Sequence, residues 1–93
     1  MHFHRTLEMS LSREEFFRLL PAVVPVFDVN KDTVCWSEGD RRWTIRLVPL
    51  ANRPLGHVDL PRHRVEIVLE ACSEAEGEAF MARFHRAFLR GGG

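Results

Sequence analysis

The sequence predicts an α+β two-layer sandwich, in which an antiparallel sheet of four or five strands carries two helices on one face. Three observations predict it. Several stretches alternate apolar and polar residues with the period of a half-buried strand. Two others place apolar residues at helical spacing behind a serine cap. The chain has 93 residues, 45% of them hydrophobic and seven of them phenylalanine, which is enough for one core without metal or disulfide staples.

The first element is a strand. Phe3, Arg5, Leu7, Met9 and Leu11 share one face, and His2, His4, Thr6 and Glu8 share the other. A helix follows in "LSREEFFRLL". Ser12 caps it, Glu15 completes a capping box, and Leu11 staples against Phe16. Phe16, Leu19, Leu20, Val23 and Val24 form its apolar stripe. Pro21 ends or kinks the helix near Leu20, because proline lacks the backbone donor that the next turn needs. Pro25 closes the segment.

"VNKD" is turn chemistry. The next eighteen residues or so read as a hairpin: Val34 and Trp36, a Glu-Gly-Asp turn, then Trp43, Ile45 and Leu47 alternating with Arg42, Thr44 and Arg46. "ANRPLG" reads as a loop, "HVDL" as a short strand, and "RVEIVLEA" as a stronger strand with Val65, Ile67 and Leu69 inward. Pro61 between the last two marks a turn or an edge. The final element is a helix capped by Ser73, with Glu76 at the reciprocal position. Phe80, Met81, Phe84, Ala87 and Phe88 form its buried stripe, and Arg83, Arg86 and Arg90 lie opposite.

The expected order is therefore β-α-β-β-(β)-β-α, with residues 1–90 as a single α+β domain and 91–93 as a glycine tail. The arrangement has a ferredoxin-like look, although nothing follows the second helix where that repeat would place a final strand. The ending "LRGGG" resembles the "LRGG" of ubiquitin-like carriers over four residues. In that family the tail leaves a strand, whereas here it leaves an amphipathic helix. Gly91 is accordingly expected to stop the helix.

Thirteen basic and thirteen acidic residues balance to zero, so the chain lacks the electrostatic footprint of a nucleic-acid or anionic-membrane binder. No apolar run reaches a membrane span, and "MHFHRTLEMS" has no signal-peptide core. Cys35 and Cys72 form no close-spaced metal or redox motif, and two reduced thiols in a cytoplasmic protein account for them. Lys31 is the sole lysine, and glutamine and tyrosine are absent, a composition that fits a GC-rich bacterial genome.

The histidines supply the candidate chemistry. His2 and His4 form one i, i+2 pair, His57 and Asp59 form another, and His63 follows. If their strands are neighbours, these five side chains could converge as ligands for zinc, nickel or copper. The stretch "GHVDLPRHR" packs His57, Asp59, Arg62, His63 and Arg64 into one corner that could orient a general base and grip an anion, but no nucleophile motif accompanies it. Cys72 precedes a helix N-terminus, which favours a thiolate, while Glu74, Glu76 and Glu78 oppose one. Trp36 and Trp43 fall in register with inward residues, unlike the exposed aromatics of RNA-binding sheets.

With no catalytic residues and no cofactor indicated, the leading expectation is a small bacterial accessory or protein-interaction domain that binds a protein partner or a second copy of itself, and neither nucleic acid nor membrane. The alternative is a metal or small-ligand protein built on the histidine-bearing sheet face.

Overall fold

The computed structural model describes residues 2–92, and the side chains of all of these except positions 38 and 90–92. Strand β1 (His2–Met9) leads to helix α1 (Arg13–Leu19). Four strands follow, β2 (Asp28–Asn30), β3 (Thr33–Glu38), β4 (Arg41–Leu55) and β5 (Val58–Glu70), and then helix α2 (Glu74–Gly92). All pairings are antiparallel, and the sheet order is β1-β5-β4-β3-β2. The chain is thus an α+β protein with a five-stranded antiparallel sheet and two helices. Its strand order is not ferredoxin-like: β2 to β5 form an uninterrupted meander, and β1 joins at the β5 edge.

Local chemistry sets the helix boundaries. Glu15 donates its backbone N–H to the Ser12 hydroxyl at 3.1 Å. At α2 the box is reciprocal: Glu76 N–H donates to Ser73 Oγ and Ser73 N–H donates to Glu76 Oε1, each at 3.1 Å. α1 stops at Leu19, and Pro21 sits in a single 3-10 turn over Leu20–Ala22, because its ring cannot continue an α-helical ladder. α2 runs through Gly92, so Gly91 lies within its last turn and is not the stop that the sequence suggests. Gly93, the end of the expected tail, lies outside the described residues.

The buried residues alternate along β3, β4 and β5 as the pleat requires: Val34 and Trp36, then Trp43, Ile45 and Leu47, then Val65, Ile67 and Leu69. Register aligns them across the strands, with Trp36 opposite Trp43 and Trp43 opposite Leu69. Phe16, Leu19 and Leu20 of the first helical segment and Phe80, Met81, Phe84 and Phe88 of α2 belong to the same core. The aromatic rings form a continuous run. Phe80 stacks on Trp36 and meets Trp43 edge-on, Phe84 stacks on Phe88 at 4.3 Å, and Phe88 contacts Phe16. Such pairs add about 0.5–1.5 kcal/mol each beyond their buried area. The Trp43 indole N–H donates to the Glu70 carbonyl, so a buried ring leaves no donor unmet.

Gly77 is fixed by packing. A Cβ at this position would fall inside the Phe3 ring, so α2 can lie close to β1 only with glycine here.

Two segments differ from the sequence expectation. The "VNKD" turn contains a short strand, β2, whose three residues are all exposed; Lys31 then takes the positive φ of the turn. A strand this short and this wet carries no apolar period to read. The second difference is larger. "ANRPLG" continues β4 to Leu55, and "HVDL" and "RVEIVLEA" are one strand, β5, with Pro61 inside it. The β4–β5 hairpin therefore runs on past the rest of the sheet, turning at Gly56 (φ 63°) and His57. Glycine at the first turn position is what a two-residue hairpin of this kind requires.

Candidate functional site

The ladder registers determine where each histidine goes. His2 and His4 lie opposite Glu70 and Val68 of β5. His63 lies opposite Met9, seven residues further along the same pairing, or roughly 23 Å away at strand rise. His57 is in the hairpin turn, and Asp59 stands opposite Pro54. Only His2 with His4 are close neighbours on a shared strand face. Among the described residues, no group of three or more His, Cys, Asp or Glu side chains is placed to hold a metal ion.

His63 has a structural partner. Its Nδ1 donates to the Leu11 carbonyl at 2.9 Å, tying β5 to the connection between β1 and α1. That bond fixes the ring proton on Nδ1. Arg62 donates to the Ala51 carbonyl across the hairpin, and Arg64 pairs with Glu66 at 3.1 Å. The five-residue corner of the sequence is thus spread along a ribbon, and Arg62, His63 and Arg64 are turned to separate partners.

Cys72 is buried, and burial pushes its thiol pKa up, reinforced by the Glu76 carboxylate against a smaller opposing effect of Arg41. This is the reverse of what a reactive thiolate needs. Both cysteines are free. Arg83 leans over the Phe80 ring and Arg86 is exposed, while the side chain of Arg90 lies outside those described. An open groove of 520 Å³ lies near the β3–β4 turn, lined by Asp28, Cys35, Asp40, Arg41 and Arg42 among others, with no histidine in its lining.

The most distinctive feature is the end of the β4–β5 hairpin. Beyond the pairing of His63 with Met9, β5 loses β1, and beyond Arg46 β4 loses β3. What continues is a two-stranded ribbon, the arm, from the pair Pro49–His63 to the pair Leu55–Val58. Its seven-residue strand spans roughly 23 Å, which suits a molecule of extents 47 × 25 × 22 Å. A register shift between Leu50 and Arg53 marks a bulge in β4.

Pairing sorts the arm into two faces. Leu50 opposes Arg62, Arg53 opposes Leu60, and Leu55 opposes Val58, so these six side chains share one face. The other bears Pro49 with His63 and Pro54 with Asp59. Positions 51–59 are all exposed, and the tip pair Leu55 and Val58 are 62% and 57% exposed. Residues 48–64 hold Arg53, Arg62 and Arg64 against Asp59 alone, a surplus of positive charge in a neutral chain.

The sequence pointed to His57 and Asp59 for their chemistry and missed the apolar pair beside them. The signal was present: "VPLANRPLGHVDLP" has leucine and proline on both sides of Gly-His.

No helix of the described chain is long and apolar enough to cross a membrane. Compared with protein families, with characterised proteins and with solved structures, the chain matches none.

Proposed function

We propose that this chain is a small bacterial accessory domain without catalytic activity of its own, which works in the cytoplasm by binding another protein through its hairpin arm. The observation that carries the reading is the exposed Leu55–Val58 pair at the end of the arm. An isolated two-stranded hairpin is at best marginally stable in water, so an extended one with an apolar face is an element suited to a partner. The sandwich provides a rigid base for it, with both helices covering the apolar sheet face and the polar face left free.

The mode of binding follows from the prolines. Pro49, Pro54 and Pro61 blunt the flanks of the arm against the addition of another strand. Recognition therefore uses the side-chain face. Leu50, Leu55, Val58 and Leu60 supply the apolar centre and Arg53 and Arg62 the basic rim, which together fit a protein surface with an apolar groove and acidic borders.

The test removes the arm and keeps the body. Replacing residues 51–61 by Asn-Gly joins Leu50 to Arg62, which already oppose each other. The shortened chain should keep its circular dichroism spectrum and thermal midpoint, and lose a partner that the intact chain retains from source-cell extract. Leu55→Glu should lose the same partner. Identical sets of retained proteins for all three would overturn the reading.

A further inference from the structure

We infer that β1 is a self-complementary edge, and that two copies of this chain join there about a two-fold axis through Thr6 to form one continuous ten-stranded sheet. This deepens the self-association half of an interaction domain, and it uses no residue of the arm.

β1 is the long end strand of the sheet. It pairs with β5 over its whole length, and among the described residues no strand pairs with its outer side. Alternate residues along its eight-residue length direct their backbone donors and acceptors outward and form a template for another strand. The β2 edge at the other end is only three residues long.

The side chains of β1 select both the partner and the register. Antiparallel pairing of β1 with its own copy about a residue-centred axis sets one residue opposite itself. With Arg5 on the axis, two guanidinium groups face each other, a like-charge pair. With Leu7 on the axis, Thr6 opposes Glu8 and the histidines gain nothing. With Thr6 on the axis, His4 opposes the partner's Glu8 twice over, the two hydroxyls meet at the centre, and Phe3 opposes the partner's Met9. A parallel pairing would instead set His4 against His4 and Glu8 against Glu8. With Arg5 on the axis His2 would reach the partner's Glu8, but only at the cost of that arginine pair; of these registers the Thr6 one alone sets His4 opposite a carboxylate with no like charges opposed.

The helix beside β1 obeys the same two-fold. Arg5 pairs with Glu78, and Phe3 packs on Gly77. A hollow of 290 Å³ near the helix start is lined by Phe3, Cys72 and Glu74 among others. Another, of 260 Å³ near its end, includes Glu8, Met9 and Leu89. α2 therefore runs in the same direction as β1, with Glu74, Glu76 and Glu78 in its first half and Arg83, His85 and Arg86 in its second. The axis through Thr6 sets two such helices antiparallel, acidic half beside basic half. It also brings Leu89, 74% exposed, towards the partner's hollow beside Phe3.

The experiment is a charge swap read by sedimentation equilibrium. The 10.8 kDa chain should sediment as a dimer. His4→Glu places a carboxylate opposite the partner's Glu8 at two symmetric positions and should weaken the dimer by about tenfold or more. Adding Glu8→Lys to it restores opposite charges and should recover most of the loss, with the circular dichroism of both variants unchanged. The chain lacking residues 51–61 should dimerise as the intact one does. A wild-type monomer at every concentration, or a dimer that His4→Glu leaves untouched, would overturn the β1 edge. A dimer lost with the arm alone would also overturn it while leaving the arm's role standing.

Discussion

The two ends of one hairpin behave as different materials. In the body, β4 and β5 are flanked on both sides: Ile45 stands between Val34 and Ile67, and Ile67 between Ile45 and Arg5. Every second residue there is buried, in a core whose aromatic rings pack on one another. In the arm the same two strands have only each other, and positions 51–59 are all exposed. The backbone ladder continues across both regions. What changes is whether alternate side chains have anything to pack on. Hydrogen bonds set the shape of the arm, but stability comes from the body, because a ladder bond contributes little net free energy without burial behind it.

That contrast can be broken at its strong end. Phe84→Ala removes a fully buried ring that stacks on Phe88 and lies tilted against Phe80, and should cost about 3–5 kcal/mol in urea unfolding. Gly77→Ala is the sharper probe. Glycine to alanine inside a helix normally gains close to 1 kcal/mol. Here the new methyl would enter the Phe3 ring, so the change should instead destabilise by about 1–3 kcal/mol. A stabilised Gly77→Ala protein would mean that α2 is free to lift from β1.

A smaller effect comes from the rim of the body. The Arg41 guanidinium, 2.7 Å from Glu76, holds that carboxyl below its ordinary pKa, helped by the Ser73 backbone N–H and hydroxyl. A depressed carboxylate pKa stabilises the fold above the ordinary glutamate value of about 4.3, and that contribution is lost as pH falls through the lower folded value. Glu76→Gln should therefore lower the thermal midpoint at neutral pH, and the gap to wild type should close in acid.

The smallest effect should come from the arm. Removing residues 51–61 should shift stability by no more than about 0.5 kcal/mol. By hydrogen exchange, arm amides should lose protection first, and amides around Ile45 and Ile67 last. A large loss of stability on arm removal would mean that the arm packs on the body.

Much of the body can be read directly from the sequence, because its determinants are local. Ser12 and Ser73 act on donors within three residues, Pro21 acts on its own turn, and Val34 to Leu69 keep a strict period of two within each body strand. The arm is hidden for an equally physical reason. Its prolines and its bulge interrupt the alternation, and without burial there is no apolar period to find. The ferredoxin-like look fails on strand order, which depends on which edge β1 reaches, and no local pattern encodes that. The histidines show the same limit. The pleat fixes that His2 and His4 are neighbours, but only the register of β1 on β5 reveals that His63 stands at the opposite end of the strand.

The order β1-β5-β4-β3-β2 also has a kinetic meaning. Strands β2 to β5 pair with their sequence neighbours through short turns, so the meander can zip from local contacts. β1 finds its partners only in β5, across most of the chain, and must wait for a large loop to close. The strand that comes first in this sheet's sequence order is thus the last to be seated. Until it arrives, the edge of β5 is open to any copy of β1 nearby, so crowded refolding should trade first strands between molecules, whereas dilute refolding should not.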